Sequence, residues 1–138
     1  MKRILFIMIL VIPLIGFSQS PGVVKALAEK TLTNTTAAYT DFTLVGSYQS
    51  LTIQVLCTQL TGTSEGKITI KGSVDGTSWM GLTDKDCLFK GYSNDTLTIA
   101  NAAIGQWVIS GSPWKYYRIN YAPSGTHTTK VTPKIIVK

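Results

Sequence analysis

The feature that most constrains this fold is a series of short segments in which apolar and polar residues alternate with a period of two. Clear examples lie at residues 53–57, 68–70, 117–121 and 131–137. Such alternation places apolar side chains on one face of a strand and polar ones on the other. Clusters of Gly, Ser, Asn and Asp separate the segments, and no long helical period occurs between them. The sequence therefore predicts an all-β fold, a single antiparallel β-sandwich or jelly roll of about seven or eight strands.

An apolar segment precedes this pattern and indicates a secretion signal. Two basic residues are followed by an uncharged apolar run over residues 4–15, and Gly16 and Ser18 place small residues at the −3 and −1 positions of a cleavage site. The run is shorter than the roughly 20 residues that a membrane-spanning helix needs, and Pro13 interrupts it. Residues 1–18 are therefore predicted to be a helical signal peptide, with a retained apolar anchor as the alternative.

The rest of the chain is predicted to form one domain with a short leading segment. Residues 19–31 are assigned to an N-terminal arm, in which residues 23–30 form one or two helical turns or stay loose. Residues 32–138 hold the alternating segments, and neither a linker nor an internal repeat divides them. A stretch of this length has room for one β-sandwich domain.

The distribution of charge argues against nucleic acid as a partner. The signal-like segment holds two of the 13 basic residues and none of the 7 acidic ones, so the remainder carries a net charge of +4. These charges are dispersed, whereas nucleic-acid binding needs a clustered basic stripe. Lys130, Lys134 and Lys138 recur at a spacing of four in a strand that Pro133 marks as an edge or bulge. Lysines at such positions more often protect a sheet edge than bind phosphate.

The sequence contains no pattern that is typical of an enzyme or a metal site. Its single histidine, His127, falls in a predicted loop among threonines, and no serine lies in a Gly-x-Ser-x-Gly elbow. One histidine and two separated cysteines do not make a zinc site. Asp84, Asp86 and Asp95 fit turn chemistry better than a calcium loop. We therefore expect a non-catalytic protein that needs no metal and no cofactor.

Two cysteines and one threonine are candidate sites of covalent modification. In an exported protein, Cys57 and Cys87 favour a disulfide, while the alternative is that Cys57 is simply a small buried strand residue. Asp95, Thr96 and Leu97 match a bacterial O-glycosylation motif, in which an acidic residue precedes the hydroxyl acceptor and an apolar residue follows it. Thr96 is therefore the candidate glycosylation site.

A hairpin assigns the first of the three tryptophans to the core. Asp75 and Gly76 predict a two-residue turn, because both central positions of a type I′ turn require positive φ. In that register Gly72 faces Trp79, and the indole covers the glycine on the core face of the sheet. An exposed Trp79 that serves as a stacking platform is the less favoured alternative.

The other two tryptophans, Trp107 and Trp114, are the candidate ligand- or partner-binding residues. Trp114 follows the turn-like residues Gly111, Ser112 and Pro113, which would place its indole at a loop tip. An indole in such a position can stack on a sugar ring or on a protein side chain.

Two stretches resemble small β-sandwich proteins of tailed-phage virions, of the capsid-decoration, head-fibre or tail-associated type. They are residues 72–79 (GSVDGTSW) and residues 114–119 (WKYYRI), and a Ser-Gly-Thr turn follows at residues 124–126. The resemblance spans residues 72–126. It implies a non-catalytic structural protein that forms a homo-oligomer or contacts virion capsid or tail proteins.

An exported bacterial carbohydrate-binding or adhesive surface module is the alternative function, because it accommodates the signal-like segment directly. In that hypothesis the exposed tryptophans stack on sugar rings, and glycans are the partners. Export predicts an extracytoplasmic location (secreted, periplasmic or cell surface), whereas the phage resemblance predicts a place in the virion.

The signal-like segment makes a testable prediction about processing. Expressed in its native host, the protein is expected outside the cytoplasm with Gln19 as its first residue, because cleavage follows Ser18. Mass spectrometry of the purified protein measures its N-terminus directly. An intact Met1 on a soluble cytoplasmic product would contradict the signal-peptide hypothesis.

Overall fold

The computed structural model describes residues 22–46, 48–82, 88–89, 96–111 and 114–138, and all regular elements in these ranges are β-strands. The all-β prediction is therefore confirmed, with two antiparallel sheets packed face to face. No described segment forms a helix long and apolar enough to cross a membrane. The predicted signal peptide lies outside the described residues, so its helix and its cleavage stay predictions.

Eleven strands are present in the described part of the chain. The first sheet contains β1 (Val23–Ala26), β2 (Lys30–Thr33), β4 (Ser50–Gly62), β7 (Leu88–Phe89), β9 (Ile104–Ser110) and β11 (His127–Val137). The second sheet contains β3 (Ala38–Thr43), β5 (Glu65–Ser73), β6 (Met80–Gly81), β8 (Thr96–Thr98) and β10 (Tyr116–Ser124). Strands β11, β4 and β9 lie inside the first sheet, and β10 and β5 lie inside the second. Several strands are too short to show an alternating pattern, so the sequence predicts fewer of them.

Burial along the strands confirms the predicted alternation. Successive residues of β4, β5 and β10 point alternately into the space between the sheets and out towards solvent. The inward residues that are fully removed from solvent include Ile53, Val55, Cys57, Ile68, Tyr117, Ile119 and Tyr121. The Phe42 and Tyr117 rings stack with their centroids 5.5 Å apart, which joins β3 to β10. Burial of a large apolar side chain stabilises a fold by about 1.5–3 kcal/mol, so this layer is the main source of stability.

The C-terminal strand corrects one prediction. The sequence predicts an edge strand here, but β11 lies inside the first sheet, with β4 on one side and both β1 and β2 on the other. Pro133 is tolerated because it falls between the residues that pair with β2 and those that pair with β1. Its carbonyl accepts a hydrogen bond from the Leu27 N–H at 3.0 Å across this gap. The N–H that proline lacks would point into the same gap, so no ladder bond is lost.

The segment before the sandwich domain is also ordered differently from the prediction. The sequence predicts helical turns or a loose arm for residues 23–30, whereas the structure has β1 and the start of β2 paired with β11. Glu29 anchors the connection between them. Its carboxylate forms a 2.7 Å ion pair with Lys130 and accepts a 3.0 Å hydrogen bond from Thr132 Oγ1. The hydrogen bond from Lys130 lowers the pKa of Glu29. Strand pairing prevails because the backbone groups along β11 need partners.

The hairpin between β5 and β6 has a longer loop than the sequence predicts. Gly76 has the expected positive φ, at 78°. However, Gly72 lies opposite Met80 rather than Trp79, so residues 74–79 connect the two strands. The register is therefore one residue away from the predicted one.

Asp75 organises this longer loop. Its Oδ1 accepts hydrogen bonds from the N–H groups of Thr77 and Ser78, both at 2.8 Å. The Ser73 hydroxyl donates to the same oxygen at 2.8 Å. These hydrogen bonds, led by the one from Ser78, hold the pKa of Asp75 well below its usual range. An aspartate that binds the backbone N–H groups after it forms an Asx turn, and this replaces the two-residue turn.

The positive φ of Gly76 generates a prediction about stability. Gly76→Val is expected to lower the free energy of unfolding by at least about 1 kcal/mol, because a β-branched residue tolerates this conformation poorly. Gly81→Val is the matched control, since an added Cβ there meets no atom within 4 Å and the φ of Gly81 is not in the left-handed region. Denaturant unfolding of both variants measures the difference. Equal midpoints for Gly76→Val and the wild type would show that the loop does not depend on glycine.

Candidate interaction surface

The outer face of the second sheet carries the residues of the candidate site. In β10 the residues between the buried ones point outward, and the antiparallel register places their cross-strand neighbours on the same face. Arg118 is flanked by Asp41 on β3 and by Lys71 on β5. Asn120, the next outward residue of β10, lies opposite Tyr39 on β3.

Arg118 is the centre of this surface. Its Nε and Nη2 each donate a 2.7 Å hydrogen bond to one carboxylate oxygen of Asp41, in a bidentate ion pair. The guanidinium Cζ lies 3.9 Å from the ring centroid of Tyr39 and 4.1 Å from that of Trp79. The hydrogen bond to Asp41 raises the pKa of Arg118, which keeps the side chain charged. We refer to Tyr39, Asp41, Trp79 and Arg118 as the aromatic–arginine cluster.

The aromatic–arginine cluster is held in place and is open to solvent. The side chain of Arg118 is 22% exposed and that of Asp41 is 41% exposed, while Tyr39 is 53% exposed. Because two hydrogen bonds and two rings fix Arg118, little side-chain freedom remains to be lost when a partner binds. Trp, Tyr and Arg are also the residue types that contribute most to binding energy at protein interfaces. The cluster can therefore act as a preformed contact surface.

Trp79 occupies a different face from the one that the sequence predicts. The two-residue turn would set Trp79 opposite Gly72 on the core face. In the structure the longer loop shifts the pairing by one residue, and such a shift moves a side chain to the opposite face of the sheet. Trp79 is half-buried on the outer face, where its ring covers Arg118. The core assignment of Trp79 is therefore wrong.

The structure places the two candidate stacking residues against the core. Trp107 on β9 is fully buried, so a ligand cannot reach its indole. Trp114 is half-buried and packs over Gly72, where an added Cβ would lie 2.6 Å from Cγ of the indole. Trp114 thus takes the position that the sequence assigns to Trp79, and it is not presented at a loop tip. Packing explains both residues, and Trp79 is the half-buried indole that lies on the outer face of the sheet.

The candidate modification sites lie in different environments. Cys57 is fully buried on β4, and burial raises the pKa of its thiol to about 11. It forms no disulfide with a described residue, and Cys87 lies outside the described residues, so the predicted bridge stays a prediction. Thr96 begins β8 opposite Thr69, on the outer face of the second sheet. Its glycosylation also stays a prediction.

His127 lies in the core at the start of β11 and not in a loop. Its Nε2 is 3.0 Å from the carbonyl oxygen of Glu65, and its Nδ1 is 2.8 Å from Oγ1 of Thr129. A carbonyl only accepts, so Nε2–H donates to Glu65, while Oγ1 of Thr129 is the hydrogen-bond partner of Nδ1. Ser64 Oγ extends the chain, 2.6 Å from Thr129 Oγ1. Because Ser64, His127 and Thr129 are all buried, these bonds satisfy polar groups inside the sandwich.

Metal-binding side chains do not gather at any point in the described ranges. No group of three or more His, Cys, Asp or Glu residues comes together there in a way that could hold a metal ion. The contacts that the candidate surface does show are an ion pair and two cation–aromatic contacts.

Sequence reasoning missed Tyr39, Asp41 and Arg118. Arg118 is visible in the sequence as an outward residue of an alternating strand, but its carboxylate partner lies 77 residues earlier in the chain. A weaker signal was present in β3, where Tyr39 and Asp41 alternate with Thr40 and Phe42. That pattern predicts that both side chains point outward, but it does not say which strand lies beside them.

Comparison with known proteins identifies structures that share this fold. No protein-family model matches the chain, and no curated protein matches it in sequence. The crystal structure of the PBSX exported protein XepA matches with a TM-score of 0.56 and 16% identity, covering 83% of this chain and 36% of XepA. The SPBc2 prophage-derived protein YomS matches with a TM-score of 0.51 and 13% identity, covering 84% of this chain and 96% of YomS. At these identities the likeness shows the fold, and the chain spans little more than a third of XepA.

The different environments of two tryptophans generate a prediction. Trp79→Ala is expected to cost about 1 kcal/mol or less of folding free energy, the size of an exposed cation–π contact. Trp107→Ala is expected to cost about 3–5 kcal/mol, because it leaves a cavity in the core. Denaturant unfolding of the two variants measures the difference. If Trp79→Ala lowered the free energy of unfolding as much as Trp107→Ala does, Trp79 would have to be assigned to the core.

Proposed function

We propose that this protein is a non-catalytic structural component of a phage or prophage particle, of the capsid-decoration or fibre and tail type. It contributes a β-sandwich that binds protein partners through the outer face of its second sheet, either other copies of itself or capsid and tail proteins. The observation that carries the proposal is the aromatic–arginine cluster. Trp79, Arg118 and Tyr39 form an ordered, accessible group on the open face of a sheet, which suits contact with a protein surface.

The proteins that share the fold support a phage origin. XepA is described as an exported protein of PBSX, and YomS as a protein derived from the SPBc2 prophage. Both agree with the resemblance of residues 72–126 to virion proteins. Export and phage origin are combined in XepA, so a signal-like segment does not argue against a phage role for this fold. We propose a location outside the cytoplasm, with the virion as the alternative.

The geometry of the cluster favours a protein partner over a sugar. Sugar rings stack on a free aromatic face, whereas Tyr39 and Trp79 each turn one ring face towards Arg118. The other two indoles are packed against the core. Protein interfaces, by contrast, surround aromatic and arginine anchors with polar side chains. We therefore propose a protein partner, and binding to a carbohydrate would contradict this proposal.

Particle association tests the proposed function. Particles purified from the native host are expected to contain the wild-type protein, and Trp79→Ala is expected to reduce its incorporation at least about tenfold, the effect of removing an interface anchor. Quantitative mass spectrometry of the particles measures incorporation. Val45→Ala is the matched control, because Val45 is an apolar residue that is 81% exposed and lies outside the cluster. Incorporation of this control should equal that of the wild type.

Two outcomes would contradict the proposal. Absence from particles, together with glycan binding that depends on Trp79, would replace it with the carbohydrate-binding alternative. A monomer that associates with neither particles nor glycans would exclude both functions. Circular dichroism of the variants shows whether each is folded, so a loss of association can be assigned to the surface.

A further inference from the structure

The second sheet has an unpaired edge at β3. This strand has 6 residues and pairs with β10 on one side, and no described strand lies on its other side. Just after β3, the Leu44 N–H donates to the opposing Lys115 carbonyl at 3.0 Å. Hydrogen-bonded positions alternate along an antiparallel pair, so the N–H and C=O groups of Tyr39, Asp41 and Thr43 point away from β10. These backbone groups form a template for another strand.

The devices that usually protect a sheet edge are missing at β3. Exposed edges commonly carry lysine, proline or a bulge, or are very short. β3 contains neither lysine nor proline, and its register with β10 runs without a shift. Its one charged residue, Asp41, is neutralised by Arg118. At the opposite edge of this sheet β6 and β8 have only 2 and 3 residues, so β3 is the longest edge strand that the structure describes.

The space between the two sheets is open beside β3. Val23 and Lys25 on β1 lie opposite Val137 and Ile135 on β11. Ile135 is buried in the core, so the side chains of Val23 and Lys25 lie on the core face of the first sheet. Both are nevertheless exposed, Val23 at 66%, so no described strand of the second sheet covers β1. The first sheet therefore projects beyond β3.

This opening forms a groove of about 270 Å³ between the sheets. Thr43 and Leu44 line it from the second sheet, and Val23, Lys25 and Ile135 line it from the first. Pockets for drug-sized ligands measure about 300–1,000 Å³, so this groove suits individual side chains better. A peptide that pairs with a sheet edge directs alternate side chains to the same face. A strand added to β3 would lie over β1 and place those side chains in the groove.

We propose that the edge of β3 binds an extended segment of a partner protein, which adds a strand to the second sheet. An aliphatic side chain of the segment fills the groove against Val23 and Leu44, and a carboxylate of the segment pairs with Lys25. Lys25 is exposed and forms no ion pair with a described residue. Its aliphatic stem lines the groove while its ammonium group stays at the rim.

The shape of this edge favours an extended segment over the folded edge of a second copy. If two copies paired through β3, their first sheets would continue side by side beneath the joined strands. Because β1 projects beyond β3, β1 of each copy would collide with the first sheet of the other. A tail or loop that is not backed by a sheet of its own avoids this collision.

The edge site lies beside the aromatic–arginine cluster. Outward side chains of the added strand would be neighbours of Tyr39 and Asp41, because both residues point outward from β3. The edge and the cluster can therefore hold one partner, the edge through its backbone and the cluster through its side chains. This link rests on the proposed function, but the edge site itself does not.

Selection from a library of random short peptides, displayed on an unrelated carrier protein, tests the site. The mature protein purified from its native host is expected to select peptides with alternating aliphatic residues and an acidic residue. Thr43→Pro is expected to weaken binding of a selected, synthesised peptide at least about tenfold, because proline removes an edge N–H without disturbing the pairing with β10. Thr43→Ala is the matched control, since it keeps this N–H, and it should bind like the wild type. Fluorescence anisotropy of the labelled peptide measures both.

Two further measurements examine the groove and the edge separately. Lys25→Glu is expected to select peptides with a basic residue in place of the acidic one. In the wild type, hydrogen exchange at the amides of Tyr39, Asp41 and Thr43 should slow when the peptide binds, and this measurement does not depend on a variant's folding. Failure to select any peptide, binding that Thr43→Pro leaves unchanged, selection that Lys25→Glu leaves unchanged, or unaltered exchange at these amides would overturn the inference. None of these results bears on particle incorporation, which is measured separately through Trp79.

Discussion

The register of β10 between β3 and β5 is the constraint on which both the core and the candidate surface depend. Tyr117, Ile119 and Tyr121 point inward from this strand and are fully buried, while Arg118 points outward between them. A shift of one residue would exchange the two sets. It would expose large aromatic side chains and bury a guanidinium without its carboxylate, which is strongly unfavourable. The burial that stabilises the sandwich therefore also holds Arg118 beside Asp41.

Gly72 connects the core to this surface. It lies opposite Tyr117 in the sheet, and its missing Cβ leaves the space that Trp114 fills. The indole of Trp114, which comes from a distant part of the chain, thus covers the core face of the hairpin. Trp79, which comes from the hairpin itself, is left for the outer face, where it covers Arg118. Trp79 thereby joins the exposed Tyr39 on the outer face of the sheet, where both rings contact Arg118.

The edges of the first sheet are poorly suited to association with another chain. Both β1 and β2 have 4 residues, and β7 has 2 residues. Short edge strands offer few backbone groups to another chain. Association through faces is therefore favoured over strand addition at these edges.

The sequence by itself determined the fold class, the inward residues of the long strands and the positive φ of Gly76. These properties depend on residues that are close together in the chain, because the period of two and the turn preferences act locally. Only the tertiary structure decided the face of Trp79, the pairing of Arg118 with Asp41 and the internal position of β11. These depend on which strands become neighbours, and that choice is made by the summed packing of residues far apart in the chain. Pro133 combines a local and a tertiary property. Its missing N–H follows from the sequence alone, whereas the gap between β1 and β2 that accommodates the proline depends on how distant strands pair.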